Sequence, residues 1–245
     1  MSQLIESILK CTVQGNVVYL PPISDGPLPN YAEVRKALLN AGAKYKKNSF
    51  VFESDAQPFI DRLTGGESVN IKKEFQFFAT PDHLADRMAK LAEVKEGEKI
   101  LEPSAGQGAI VKAINRETGG ETVYCYELMP QNQSVLKKIS TVRLLGDDFL
   151  SHEGQEEFDK IVANPPFSRN QDIDHIKKMY SSLKNGGRLV TIASMSWTFG
   201  ADKKQVEFRK WLDELGAYQE PLPEGTFKDS GTKVKAMLLM IEKTA

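Results

Sequence analysis

The sequence predicts an α/β fold: a doubly wound, mostly parallel sheet in residues 74–245, preceded by a small α+β unit in residues 1–73. Three observations predict it. From Phe75 onward, short apolar runs alternate with amphipathic stretches, the pattern of strands joined by crossover helices. The first of those runs leads into a glycine-bearing turn, Glu102 to Gly108, where such sheets hold ligands. Before residue 73 the strand-like runs are short and close together, as in hairpins.

In the first unit, Thr12 to Leu20 reads as a hairpin turning at Gly15-Asn16. Pro21-Pro22 and Ser24 to Asn30 are loop. Tyr31 to Ala41 has helical spacing of Val34, Leu38 and Leu39 and is closed by Gly42. Lys44 to Phe52 reads as one strand, and Asp55 to Leu63 as a helix closed by Gly65-Gly66. Arg35, Lys36, Lys44, Lys46 and Lys47 cluster here, opposed locally by Glu33 alone. Lysines of this kind block edge-to-edge pairing of strands, or they contact phosphates.

In the second unit, Thr80 is expected to cap a helix with Pro81 in its first turn and Leu84, Met88 and Leu91 along one face. A strand Lys99 to Leu101, the Glu102 turn and a helix Ala109 to Glu117 follow, ending at Gly119-Gly120. Thr122 to Tyr126 is the second strand, closed by Glu127, and Gln131 to Ile139 the next helix. Val142 to Leu145 leads into Gly146-Asp147-Asp148-Phe149. The apolar run Ile161-Val162-Ala163 is a buried strand that must stop at Asn164, because Pro165 and Pro166 donate no ladder bond. A helix Asp172 to Leu183, stopped by Gly186-Gly187, precedes a strand Leu189 to Ala193. Gln205 to Leu215 is a helix, and Ala217 to Glu220 and Val234 to Ile241 close the pattern as strands.

Composition narrows the function. A net charge of −1 gives no general basic surface, so contact with nucleic acid would rest on a local patch. No apolar run is long enough to span a bilayer, and Met1-Ser2-Gln3-Leu4 lacks the features of a signal peptide. A cytoplasmic protein without a membrane partner is expected. Cys11 and Cys125 fit no metal spacing, and His83, His152 and His175 stand in no ligand pattern, so no metal is expected.

The chemistry gathers at two strand ends. The side-chain oxygen of Asn164 and the carbonyl of a proline beside it give two acceptors for one NH2 group, with the Phe167 ring as a face for a flat base. Upstream, Gly106 and Gly108 let a ligand approach the main chain, and the following helix offers free N–H groups to an anion. Glu102 would repel a pyrophosphate but suits an ammonium group. Glu127 is placed to bind ribose hydroxyls with both carboxylate oxygens. A ligand with an amino-acid end and a ribose is S-adenosylmethionine.

Five segments in order carry a more specific resemblance: Phe77-Phe78-Ala79-Thr80-Pro81, Leu101 to Gly108, Tyr126-Glu127, Gly146 to Leu150, and Asn164-Pro165-Pro166-Phe167. The chain resembles the class I S-adenosylmethionine-dependent methyltransferases, and among them the DNA adenine-N6 enzymes of the gamma motif order. The resemblance implies a seven-stranded Rossmann-like sheet whose last strand is antiparallel. It implies cofactor contacts from Phe78, Thr80, Pro81, Glu102, Pro103, Ser104, Gly106, Gly108, Glu127, Asp148 and Phe149. It gives Asn164, Pro165, Pro166 and Phe167 to the target base. Such enzymes usually carry a recognition domain after the catalytic one; here residues 1–73, with Arg35, Lys36, Lys44, Lys46 and Lys47, are expected to bind the nucleic acid, DNA in the first instance.

The same motif also serves methyl transfer to RNA or to a protein glutamine. A non-catalytic specificity partner is a reading from another class, opposed by the intact Asn164, Pro165, Pro166, Glu102 and Glu127. Cytosine-C5 chemistry needs a cysteine nucleophile in a loop, and neither cysteine sits in one. Asp172, Asp174 and His175 are either substrate contacts or a helix start favoured by the dipole. Trp197 and Phe199 either wall the base site or fill the core, and Phe227 to Thr232 reads as the turn before the last strand.

Overall fold

Neighbouring residues in the central strands of the second unit feed two different cores, because successive side chains of a strand point to opposite faces. Ile100 and Val162 join one buried cluster, Leu101 and Ile161 the other. Each fully buried side chain of this kind contributes about 1.5–3 kcal/mol. Exposed ion pairs such as Lys203–Glu207, at under about 1 kcal/mol, do not decide the fold. In the computed structural model the described residues are 2–52, 55–71, 78–153, 157–228 and 234–244. The chain divides into two compact units, residues 1–77 and 78–245.

The first unit contains α1 (Gln3–Ile8), β1 (Thr12–Gln14), β2 (Val17–Tyr19), α2 (Tyr31–Asn40), β3 (Lys44–Lys46), β4 (Ser49–Val51) and α3 (Gln57–Thr64). Its antiparallel sheet has the order β1-β2-β4-β3. Val18 and Phe50 are fully buried, as are Val34 and Leu38 of α2. The run Lys44 to Phe52, expected as one strand, is a hairpin. Lys47 and Asn48 turn it with φ of 45° and 62°, and two positive φ values suit a two-residue hairpin turn. Asparagine tolerates that region and lysine gives little sign of it, so the turn was hidden in a strand-like run.

The second unit contains α4 (Asp82–Ala92), β5 (Ile100–Glu102), α5 (Ala109–Thr118), β6 (Val123–Tyr126), α6 (Pro130–Leu136) and β7 (Val142–Gly146). Then come β8 (Phe158–Ala163), α7 (Gln171–Ser181), β9 (Leu183–Ser194), α8 (Ser196–Phe199), α9 (Lys203–Glu214), β10 (Tyr218–Pro221) and β11 (Ala236–Glu242). The seven-stranded sheet has the order β10-β11-β9-β8-β5-β6-β7. Strands β5 to β9 pair in parallel, and β11 runs antiparallel to both of its neighbours. The last strand is therefore the reversed one, as the resemblance implied.

Two local expectations fail. Gly186-Gly187 does not stop the helix, which ends at Ser181; the glycines lie inside β9. They form an irregularity there: pairing jumps from Phe158↔Leu183 to Lys160↔Arg188, and Gly186 has φ 79°. A Cβ on Gly187 would fall 2.9 Å from the Lys184 carbonyl, so the bulge needs glycine. Thr80 does not cap α4, which starts at Asp82 with Pro81 as its N-cap and no side-chain bond there.

The sheet order fixes where a ligand goes. From β5 the chain adds β6 and β7 on one side, then crosses to add β8 and β9 on the other. Ligands bind at such a switch point, outside the carboxyl ends of the strands. Leu101 pairs with Ile161, so Glu102 at the end of β5 and Asn164 after β8 flank one crevice. Cys125 of β6 is fully buried; burial and the Glu102 and Glu127 carboxylates push its thiol well up. Cys11 of the first unit is half-buried and its thiol is pushed up to about 11. Among the described residues no helix is long and apolar enough to cross a membrane.

Candidate active site

Asn164 is held from behind. Its side-chain Nδ2 donates to the Phe78 carbonyl at 3.3 Å and to Thr80 Oγ1 at 3.1 Å. With the nitrogen anchored, Oδ1 is directed away from those acceptors. Pro165 behind it is buried, and Phe167 is half-buried against the first core cluster. Thr80 itself is 8 % exposed, and Pro81 follows it half-buried. The hydroxyl expected to cap a helix instead orients an amide. Phe77 of the same segment lies outside the described residues.

The turn after β5 is built on glycines and two buried carboxylates. Gly106 and Gly108 have φ of 54° and 78°, and a Cβ on Gly108 would fall 2.8 Å from Ile139 Cδ1. Pro103 is buried and Ser104 half-buried, and the Ala105 N–H donates to the Tyr126 carbonyl at 3.0 Å. The turn therefore crosses over the end of β6. Glu102 Oε2 accepts from the Val111 N–H at 3.1 Å, in the first turn of α5. Burial holds the Glu102 carboxyl well above the usual carboxylate range; the Val111 bond opposes this and Glu127 adds to it.

Glu127 is more committed than the sequence suggests. Oε2 accepts from the Gly106 N–H at 2.6 Å, and Oε1 from the Met129 N–H at 2.8 Å and Asn132 Nδ2 at 3.2 Å. A carboxylate has about four lone-pair sites, so these three bonds leave about one, on Oε2. Two oxygens for a ribose, as expected, are not on offer while Met129 and Asn132 occupy Oε1. Burial raises the Glu127 pKa, and its three donors lower it in part. Leu128 beside it is 54 % exposed at the rim. The sequence reading missed Asn132, whose only signal is its place in a helix whose first residue is Pro130.

Further round, Asp148 is exposed and its Oδ1 accepts from the Leu150 N–H at 2.9 Å. Asp147 accepts from Gln133 Nε2 at 2.8 Å, and the same nitrogen donates to the Glu127 carbonyl. The Phe149 ring does not face the crevice. It is 4 % exposed in the second core cluster, 5.4 Å from the Tyr126 ring. What Phe149 can offer a ligand is its main chain.

The remaining candidates separate by role. Asp172 is fully buried; its Oδ2 accepts from the Ser194 N–H at 2.8 Å and so ties α7 to the end of β9, while Oδ1 has no partner among the described residues. Asp174 pairs with Lys204. His175 is buried, its Nδ1 bonded to the Gln171 carbonyl at 2.9 Å, and burial lowers its pKa. Trp197 packs edge-on against Phe208 in the core, whereas Phe199 is 80 % exposed. Phe227 is buried, Lys228 exposed, and Asp229 to Thr232 lie outside the described residues.

In the first unit the five basic residues are all exposed, but they do not share one face. Arg35 of α2 lies over the Tyr45 ring at 5.8 Å. Lys44 and Lys46 flank Tyr45 on β3 and so belong to the opposite face of the sheet. Lys47 is in the turn, and Lys36 follows Arg35 on α2. Among the described residues no group of three or more His, Cys, Asp or Glu could hold a metal ion.

Comparison with known proteins agrees with this geometry. Residues 82–200 match the family model described as methyltransferase small domain. The chain is 26% identical over 125 residues to the type II methyltransferase M.AccI of Acinetobacter calcoaceticus, covering 48% of this chain and 23% of that protein. It is 31% identical over 105 residues to ribosomal RNA small subunit methyltransferase A of Thermotoga neapolitana, covering 41% and 40%. The matched stretch thus spans well under half of these curated relatives. Among solved structures, the type I restriction enzyme EcoKI M protein superposes with a TM-score of 0.59 at 16% identity, over 79% of this chain and 52% of that one. TrmN from Thermus thermophilus superposes with a TM-score of 0.50 at 21% identity, over 66% and 48%. The sheet order and the crevice at its switch point thus go with a match of residues 82–200 to a methyltransferase small domain, and the fold is the one these solved structures share.

Proposed function

We propose that the protein transfers a methyl group from S-adenosylmethionine to the exocyclic N6 of adenine in DNA. The observation that carries this reading is the anchored amide of Asn164. Both of its nitrogen's bonds go backward, to Phe78 and Thr80, so its oxygen is the end available to an incoming amine. With the Pro165 carbonyl beside it, the strand end offers two acceptors for the two hydrogens of one NH2. Accepting both draws the delocalised N6 lone pair towards a tetrahedral nitrogen, where it can attack. Phe167 supplies a ring for stacking on a base turned out of its helix.

When bound, S-adenosylmethionine supplies an electrophilic methyl group on a sulfonium. The residues fit such a cofactor: a glycine turn that tolerates close approach, a buried carboxylate at Glu102 for its ammonium, and a spare lone pair on Glu127 for a ribose hydroxyl. Phe78, Thr80, Pro81, Pro103, Ser104, Asp148 and the main chain of Phe149 border the same crevice in this reading. The two crevice walls position amine and methyl for an in-line transfer, and proximity and alignment contribute much of the rate. No side chain becomes covalently attached.

The first unit, through Arg35, Lys36, Lys44, Lys46 and Lys47, would add phosphate contacts. The 31% identity with a ribosomal RNA methyltransferase favours one second reading, the same transfer to adenine in RNA. The deciding experiment supplies labelled S-adenosylmethionine with DNA or RNA, followed by digestion to nucleosides. Label in N6-methyladenine from DNA is expected. Label confined to RNA, or to another position of the base, overturns the DNA or the adenine reading in turn.

A further inference from the structure

Phe199 is the most exposed of the large apolar side chains among the described residues, at 80 %, with Leu9 next at 59 %. A single exposed aromatic is unremarkable on a mobile tail. This one stands on a short helix, α8, whose main chain is clamped. Arg209 of α9 donates to the Trp197 carbonyl and, at 2.9 Å, to the Gly200 carbonyl. Trp197 is itself sunk in the core. A Cβ on Gly200 would lie 1.7 Å from Gln205 Oε1, so α9 closes directly over the turn.

The clamp reaches the strand end that carries Asn164. Asn170 Oδ1 accepts from Gln205 Nε2 at 3.1 Å and from Ser196 Oγ at 3.4 Å. Asn170 ends the short turn that follows Phe167, and β8 and β9 are adjacent in the sheet. That turn is strained: Arg169 and Asn170 have φ of 56° and 57° without being glycine. Arg169 in that turn is exposed, one residue before the Asn170 that bonds Ser196 at the start of the helix bearing Phe199. Of the exposed charges nearby, Lys203 pairs with Glu207 and Asp202 stands at the start of α9.

We infer that Phe199 and Arg169 form a substrate rim for double-stranded nucleic acid: Phe199 enters the stack beside the target adenine as the base leaves it, and Arg169 takes an adjacent phosphate. This rests on the proposed transfer to a flipped adenine. Extruding a paired base costs unstacking and unpairing energy, least for a base already unpaired or single-stranded. Apolar wedges between base steps are one way to offset that cost. An aromatic held rigidly in water beside the acceptor turn has the shape and placement of such a wedge.

The test uses the full chain and single-turnover methyl transfer to three DNAs: a duplex with one target adenine, the same strand alone, and the duplex with an abasic site opposite the target. Phe199→Ala should slow transfer to the intact duplex by roughly tenfold or more, and transfer to the other two by less than about threefold. Phe199→Trp should restore the duplex rate. Arg169→Ala should weaken binding to all three and lower the salt slope by about one. An unchanged melting temperature for Phe199→Ala, as its exposure predicts, separates these effects from misfolding. Equal losses on all three DNAs, or no loss on any, overturn the wedge while leaving the methylation reading intact. Wild-type protein that labels none of the three DNAs overturns both.

Discussion

The Gly106 N–H donates to Glu127 Oε2 across 2.6 Å, joining the turn after β5 to the carboxylate at the end of β6. The glycine turn is thus held by the same group expected to meet a ribose. Glu127→Ala would leave the Gly106 and Met129 N–H groups and the Asn132 amide without their acceptor. Each unsatisfied buried donor costs about 1–3 kcal/mol. Glu127→Ala should therefore lower the melting temperature as well as cofactor affinity, whereas a purely ligand-facing carboxylate would lower affinity alone. Thermal unfolding and calorimetry on one preparation separate the two outcomes.

Glu102 predicts a pH dependence. Its pKa is raised in the folded protein, chiefly by burial. A raised carboxylate contributes stability that is fully present below its unfolded pKa and is lost as pH rises through the folded one. Glu102→Gln should therefore melt higher than wild type near neutral pH, with the gap closing as pH falls. An ammonium ligand reverses the preference, since it favours the charged carboxylate. Binding of S-adenosylmethionine should release protons and weaken as pH falls through the raised pKa. Calorimetry in two buffers of different ionisation enthalpy reads the released protons; no release would remove Glu102 from the ammonium site.

Thr80 predicts a coupling. If its hydroxyl orients Asn164, Thr80→Val should slow transfer by roughly fivefold to tenfold, the worth of one ordinary hydrogen bond. Asn164→Ala should cost on the order of a hundredfold, as losing a preorganised acceptor does. In the Asn164→Ala background, Thr80→Val should add almost nothing, since the group it positions is gone. Thr80→Ser, which keeps the hydroxyl, should behave as wild type. Single-turnover rates for wild type and the four variants decide; additive losses would show that Thr80 acts elsewhere.

The two basic faces of the first unit predict separable salt effects. Each phosphate neutralised contributes about 0.9 to the slope of log affinity against log salt on duplex DNA. Replacing Lys44 and Lys46 together, or Arg35 and Lys36 together, by alanine should flatten the slope for whichever face meets the backbone. Filter binding across a salt series measures it. A slope unchanged by both pairs means the lysines serve only to keep the β3 edge solvated.

What could be read from the sequence was local. Asn164 had to end a strand because two prolines follow it, and Gly106 and Gly108 mark a turn because only glycine takes those dihedrals cheaply. The seven-stranded sheet with its reversed last strand came with the resemblance and is what the chain adopts. What could not be read depends on partners distant in the chain. Thr80 looked like a cap until Asn164, 84 residues on, supplied the other half of its bond. Trp197 and Phe199 were indistinguishable as aromatics; the difference is that Phe208 packs against one and solvent surrounds the other. Gly186-Gly187 looked like a helix stop because a bulge inside a buried strand uses the same residues.

The two cysteines give each unit its own clock. Cys11 belongs to the first unit and Cys125 to the second, and raised thiol pKa values slow the reaction of both in the native state. Alkylation of Cys125 has to wait for β6 to open, whereas Cys11 needs only a small local motion at the end of α1. Pulsed labelling across a denaturant series, read by mass spectrometry, would therefore time the opening of β6 in the second unit and a local motion in the first separately in a single tube. Adding S-adenosylmethionine should then lengthen the Cys125 interval and leave that of Cys11 unchanged, because a ligand bound beside Glu102 and Glu127 protects the strand lying between them.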